Sequence, residues 1–138
     1  MTPQRHCEFA ERITRSLDKV TTADYEVVIE ACMLAGTHWF NAALHVMGLS
    51  VADQDVLHVE FMIVHERRKA WLVAPAMVEA LECIEDMRAL HVRGNAEHGE
   101  VAAAVALARL DVIREAARDA KPLGLTPAHL GHVSLIEP

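Results

Sequence analysis

A chain of 138 residues with a formal charge of −7, 52% hydrophobic content, six Gly and five Pro is long enough for one self-sufficient core and too apolar for disorder. The acidic balance excludes general attraction to nucleic acid, which needs clustered Lys and Arg, and leaves only local contacts such as Arg67-Arg68-Lys69, read here as a solvated helix end. Abundant Ala, Leu, Val and Glu favour helices over many short strands.

The first helix is predicted from about Gln4 to Asp18, where Phe9, Ile13 and Leu17 recur on one face. Met1 to Glu11 lacks the apolar stretch of a signal peptide, and no window is read as membrane-spanning. Thr21 and Thr22 supply cap chemistry for a longer second helix, which Gly48 ends. One stripe of that helix is Tyr25, Val28, Ile29, Cys32, Gly36, Trp39/Phe40 and Ala43. Its other side, Val27, Ala31, Leu34 and Ala42, is apolar too, so this helix should be central and covered on both sides, by the chain itself or by a second subunit.

Ser50 is a suitable cap for the segment after Gly48. Residues Asp53 to Arg68 fit either a buried helix or a strand, with helix favoured. Pro75 opens a helix through Leu90, with Met77, Val78, Leu81, Ile84 and Leu90 on its apolar face. Asn95 is expected to cap the last long helix, about Ala96 to Ala120, with Asp111–Arg114 and Glu115–Arg118 as charge pairs. From Lys121 onward Pro and Gly forbid a long helix, yet the tail, residues 121–138, is apolar enough to dock. The expected fold is all-α, a single bundle of four or five helices without a linker.

Cys7, Cys32 and Cys83 form no Cys-x-x-Cys unit and leave an odd count, which fits a reducing, cytoplasmic setting. Nine histidines are the conspicuous feature, and six of them fall in pairs seven apart: His38/His45, His58/His65 and His91/His98. Seven residues place a pair on one helix face but about 10 Å apart, too far for one ion. The chain has one Asp-x-x-His, Asp55 to His58, and no Glu-x-x-His. A metal site would therefore need several helices, with His58, His65 and Asp55, or Glu60, as candidates. His38, Asn41 and His45 form a polar stripe on the apolar second helix, either bonded within the core or lining a pocket.

The segment Arg93-Gly94-Asn95-Ala96-Glu97-His98 carries a second chemistry. A His in the first turn of a helix is favoured as neutral imidazole, the form a general base requires. Arg93 offers a fork of donors to a phosphate, with Asn95 between the two. Glu97 and Glu100 oppose both roles by raising the His98 pKa and repelling a phosphodiester backbone.

Over about Val27 to Ala117 the chain resembles the HEPN family of small dimerising helical bundles. The residues that carry the resemblance are Ala31 to Leu44 and the Arg93-x4-His98 segment leading into the last helix. The resemblance implies that Arg93 and His98 meet at a dimer interface, where active members cleave RNA without metal and others serve as accessory domains. Gly94, Gly99 and Glu100 depart from the family's surroundings of the motif, which favours the accessory role. The expectation is thus a homodimeric interaction module whose cleft contacts a phosphate or nucleotide, with no cofactor. A metal-independent ribonuclease and a histidine-rich metal-binding bundle are the alternatives. The partners expected are a second copy, RNA or a nucleotide, or another protein; no membrane or DNA contact is expected.

Overall fold

The computed structural model describes residues 1–58, 62 and 64–124. It is an all-helical bundle: α1 (Pro3–Ser16), α2 (Tyr25–Met47), α3 (Val64–Val73), α4 (Pro75–Met87) and α5 (Gly99–Asp119). No strand occurs among the described residues.

Local chemistry sets the helix ends. The Thr2 hydroxyl accepts the Arg5 N–H, and Pro3 occupies the first turn, where a missing N–H costs nothing. After two 3-10 turns, Leu17–Lys19 and Thr22–Asp24, a reciprocal capping box joins Thr21 and Asp24 and launches α2. Gly48 ends α2 in the left-handed region, at φ 82°, where an L side chain is disfavoured; its N–H meets the His45 and Leu44 carbonyls.

α2 is the central element and packs against α1, α4 and α5. Ile29, Cys32, Trp39 and Phe40 meet Met77, Leu81 and Ile84 of α4 and Leu110 and Ile113 of α5 in one buried core. The approach is close because small residues face it. A Cβ added at Gly36 would lie 3.2 Å from the side chains of Ile113 and Leu81. Ala102, Ala103 and Ala106 supply the corresponding small face of α5. Truncating the fully buried Phe40 to Ala would cost about 3–5 kcal/mol, the usual range for a lost core aromatic.

Several expectations are corrected. By length and composition Thr22–Met47 is apolar enough to span a bilayer, but 67% of that window is buried against the chain's own helices, as in a core helix. On the second side of α2, Ala42 is buried but Val27 and Leu34 remain more than half exposed. Residues 53–58 are not helical, and α3 is described from Val64 onward. Val56 gives both its backbone groups to the Asn41 side chain, which takes the place of helical partners. Ser50 bonds to His45 rather than capping a helix.

The helix from Pro75 changes at Arg88 into a π-helical turn, Arg88–Arg93. At about 100° per residue Leu90 falls nearly opposite Met77, Leu81 and Ile84, so it is exposed rather than on the core face. α5 starts at Gly99, so Asn95 is not its cap. Asp111 and Arg114 do pair, at 2.7 Å, whereas the Arg118 guanidinium lies over the Trp39 ring. Residues 121–124 run on as an irregular segment, and the Leu123 N–H reaches the Met47 carbonyl. The remainder of the predicted tail, and Glu60, lie outside the described residues. Cys7, Cys32 and Cys83 are free thiols. Burial raises the Cys32 thiol pKa to about 12, so it packs as an inert small hydrophobe.

Candidate metal centre

Three separate segments converge beside the exposed face of α2. α1 buries Ala10 against the bundle, and His6, one turn earlier on the same face, is buried with it. α2 contributes His38, Asn41 and His45, the predicted polar stripe. The irregular segment after α2 returns across that stripe and brings Asp55 with it.

The return is fixed by Asn41, which is 1% exposed. Its amide nitrogen donates to the Thr37 carbonyl at 2.9 Å and to the Val56 carbonyl at 2.6 Å. Its amide oxygen accepts the Val56 N–H, also at 2.6 Å. One side chain thus pairs both polar groups of a non-helical peptide, and the residue before that peptide is Asp55.

Asp55 Oδ1 accepts from His6 Nε2 at 2.9 Å and from His45 Nε2 at 2.8 Å. Its other oxygen lies 3.2 Å from the Met1 amine, which also bonds to the Ala52 carbonyl. The outer ring nitrogens are engaged as well. His6 Nδ1 faces His38 Nδ1 at 2.9 Å, and His45 Nδ1 meets the Ser50 hydroxyl at 2.6 Å. His38 stacks on Phe9, whose ring also carries the guanidinium groups of Arg5 and Arg12. His6 sits between the α2 imidazoles, with ring centroids 5.2 Å from His38 and 5.3 Å from His45. The spacing argument therefore holds for the α2 pair, which does not share an ion directly, while a third imidazole from α1 bridges the gap.

The electrostatics favour neutral His6 and His38 beside an ionised Asp55. Burial lowers the pKa of His6, and the bond and charge of Asp55 offset this only in part. Burial also lowers that of His38, with His6 adding to the effect and Asp55 opposing it. For Asp55 burial acts upward, but the bonds from His6, His45 and the terminal ammonium together outweigh it and hold the carboxyl at about 2. Neutral imidazole and ionised carboxylate are the protonation states that bind a metal.

His6 Nε2, His45 Nε2 and an Asp55 oxygen lie within 4.8 Å of one another. Ligands 2.0–2.1 Å from a tetrahedral ion stand roughly 3.3 Å apart, so the measured N···O separations would need to open by only about 0.5 Å. Proton positions adapt at equally small cost. Without an ion, both Nε2–H groups donate to Asp55, while His38 and Ser50 donate to the Nδ1 atoms of His6 and His45. With an ion on the two Nε2 atoms, each ring carries its proton on Nδ1 and donates outward to His38 or Ser50. The same heavy atoms serve both arrangements, and metal-ligating imidazoles are usually supported by such an outer bond. Two imidazoles and one carboxylate suit a first-row divalent ion and leave at least one coordination position open.

A cleft of about 570 Å³ adjoins this cluster, lined by His6, His38, Asn41 and Asp55 at one end and by Glu30, Arg88 and His58 elsewhere. Arg88 Nε donates to Glu30 at 2.7 Å, and His58 pairs with Glu85 at 3.2 Å. Of the predicted metal candidates, Asp55 enters the cluster, His58 only lines the cleft, and His65 lies exposed on α3. His6 was not anticipated. The signal was present, since His6 continues the Ala10–Ile13–Leu17 face of α1 by one turn.

Arg93 and His98 lie elsewhere, both exposed. His98 stands at the N-terminus of α5 near Tyr25, thirteen residues and thus about 20 Å along α2 from His38, so within one chain the two sets of residues lie far apart. His98 is the one non-glycine residue with positive φ, at 64°, among the described residues. Gly99 beside it is buried under the Tyr25 ring. Asn95 is exposed in the intervening loop. No protein-family model matches the chain, and no curated protein or solved structure is significantly similar to it.

Proposed function

We propose that the protein is a metal-binding helical bundle, in which His6, His45 and Asp55 hold one first-row divalent ion with an open coordination position. The observation that supports this best is the convergence of two imidazole Nε2 atoms on one carboxylate oxygen, each ring bonded outward through its Nδ1. Three protein ligands with an open position are the pattern of catalytic rather than purely structural zinc sites. An ion there would lower the pKa of a coordinated water and polarise a bound oxygen; His38 would hold the His6 ring, and Asn41 would hold the Asp55 segment.

Titration of chelator-treated protein with Co²⁺ or Zn²⁺ tests this. One equivalent should bind with micromolar or tighter affinity, and His6→Ala and Asp55→Asn should each weaken binding by at least about a hundredfold. Uptake below a tenth of an equivalent at micromolar protein would overturn the reading.

A second reading, the HEPN-like homodimer, is favoured by the uncovered Val27 and Leu34 face of α2 and by the left-handed backbone of His98. In it the chain is an accessory or RNA-contacting module, with Arg93 at the phosphate and His98 as base. Cleavage of RNA in excess EDTA, lost in His98→Ala with fold and dimer intact, would establish it. A monomer inert towards RNA would refute it.

A further inference from the structure

The cleft beside the cluster has polar side chains that are already engaged. Asn41 is committed to Thr37 and Val56, the Thr37 hydroxyl donates to the Met33 carbonyl at 2.8 Å, and Arg88 pairs with Glu30. Between them the wall is apolar, formed by Ile13, Ala31, Met33, Leu34, Val56 and Leu57. Leu34 and Leu57, 53% and 73% exposed, stand at the rim where a guest would cover them. The volume, about 570 Å³, is within the range of small-molecule sites. A guest in this cleft therefore finds apolar contacts along its length and few unused hydrogen-bonding groups, except at the cluster end.

Charge decides which head group belongs there. The ionised groups lining the cleft are Glu30, Asp55, Arg88 and the Met1 ammonium, which cancel and offer an anion no net attraction. A divalent ion held by Asp55, His6 and His45 would add positive charge at that end and could take a further donor.

We propose that the metal-loaded protein binds a small carboxylate with an unbranched apolar tail, its head coordinating the ion and its tail lying along Leu34 and Leu57. This rests on the metal reading above and specifies the ligand class of that site. Binding is conditional on the ion, because the cationic groups of the lining, Arg88 and the Met1 ammonium, are already paired with Glu30 and Asp55.

Co²⁺-loaded protein titrated with hexanoate, acetate and hexylamine tests it, with the visible cobalt bands as readout. Hexanoate should perturb the bands saturably and at least about tenfold more tightly than acetate, because its extra methylenes leave water. Hexylammonium should leave them unchanged, and metal-free protein should bind no hexanoate by calorimetry. Leu34→Asp, an exposed substitution that leaves the ligand set intact, should take up Co²⁺ normally and lose the preference for hexanoate. Normal Co²⁺ uptake with equal affinities for acetate and hexanoate would overturn this inference alone. Failure of the wild type to take up Co²⁺ would overturn the metal reading and this inference with it.

Discussion

Replacing Asn41 by Ala should uncouple the Asp55 segment from the bundle. Asn41 is buried, and its two bonds to Val56, both at 2.6 Å, are the ones that fix the backbone of the returning chain to α2, beside the His45 bonds to Ser50 and Asp55. Each lost bond removes about 1 kcal/mol, and peptide groups left poorly solvated add about 1–3 kcal/mol. Val56 is only half-buried, so water recovers part of this, and a loss of about 3 kcal/mol is expected. For a domain of this size that corresponds to a fall in Tm of roughly 10 °C. Asn41→Leu, which fills most of the volume without bonding, should lose about 2 kcal/mol, separating hydrogen bonding from cavity formation. Thermal unfolding followed by circular dichroism measures both, and Co²⁺ affinity should fall at least about tenfold in each because Asp55 is no longer held. A Tm within about 2 °C of wild type for Asn41→Ala would refute the clamp.

Two further outcomes are expected from the geometry. The folded state lowers the pKa of His6 and His38, so the unfolded chain takes up protons first on acidification, and metal-free protein should lose stability as pH falls below about 6.5. A second loss, of about 2 kcal/mol, should come as pH falls from near 4 towards 2, where the depressed Asp55 carboxyl protonates; urea unfolding across pH should show both steps, and His38→Asn should flatten the upper one. Gly99→Ala would place a Cβ 2.6 Å from the Tyr25 ring and should cost about 1–3 kcal/mol in chemical denaturation, with metal binding unchanged because that ring lies at the far end of α2.

The helices were legible where local chemistry decides them. Thr21 and Gly48 mark the beginning and end of the α2 region, and Pro75 the start of α4, because caps and fixed backbone angles act within a few residues. Residues 53–58 were misread because their hydrogen bonds go to Asn41, 15 residues back, and no window of periodicity contains that partner. Leu90 was misassigned on its apolar character, although at about 100° per residue it stands nearly opposite Met77, Leu81 and Ile84. At the site, the stripe His38-Asn41-His45 was visible from spacing alone, and Asp55 had been considered beside the wrong histidine. His6 was missed because its face of α1 was read from the hydrophobic residues Phe9, Ile13 and Leu17, one turn short of the imidazole that completes it.

The cluster also ties together parts of the chain that would otherwise separate easily. His6 and Asp55 are 49 residues apart, and α1 packs on the bundle chiefly through α2. When α1 lifts away, His6 leaves with it, and Asp55 and His38 each lose a partner. On the proposed metal reading, occupancy of the centre and docking of α1 would be a single linked equilibrium, and a bound ion would act as a basting stitch across that seam. Amide hydrogen exchange in α1 should slow on loading while the interior of α5 keeps its rate, so the first helix reports the state of a centre built largely outside it.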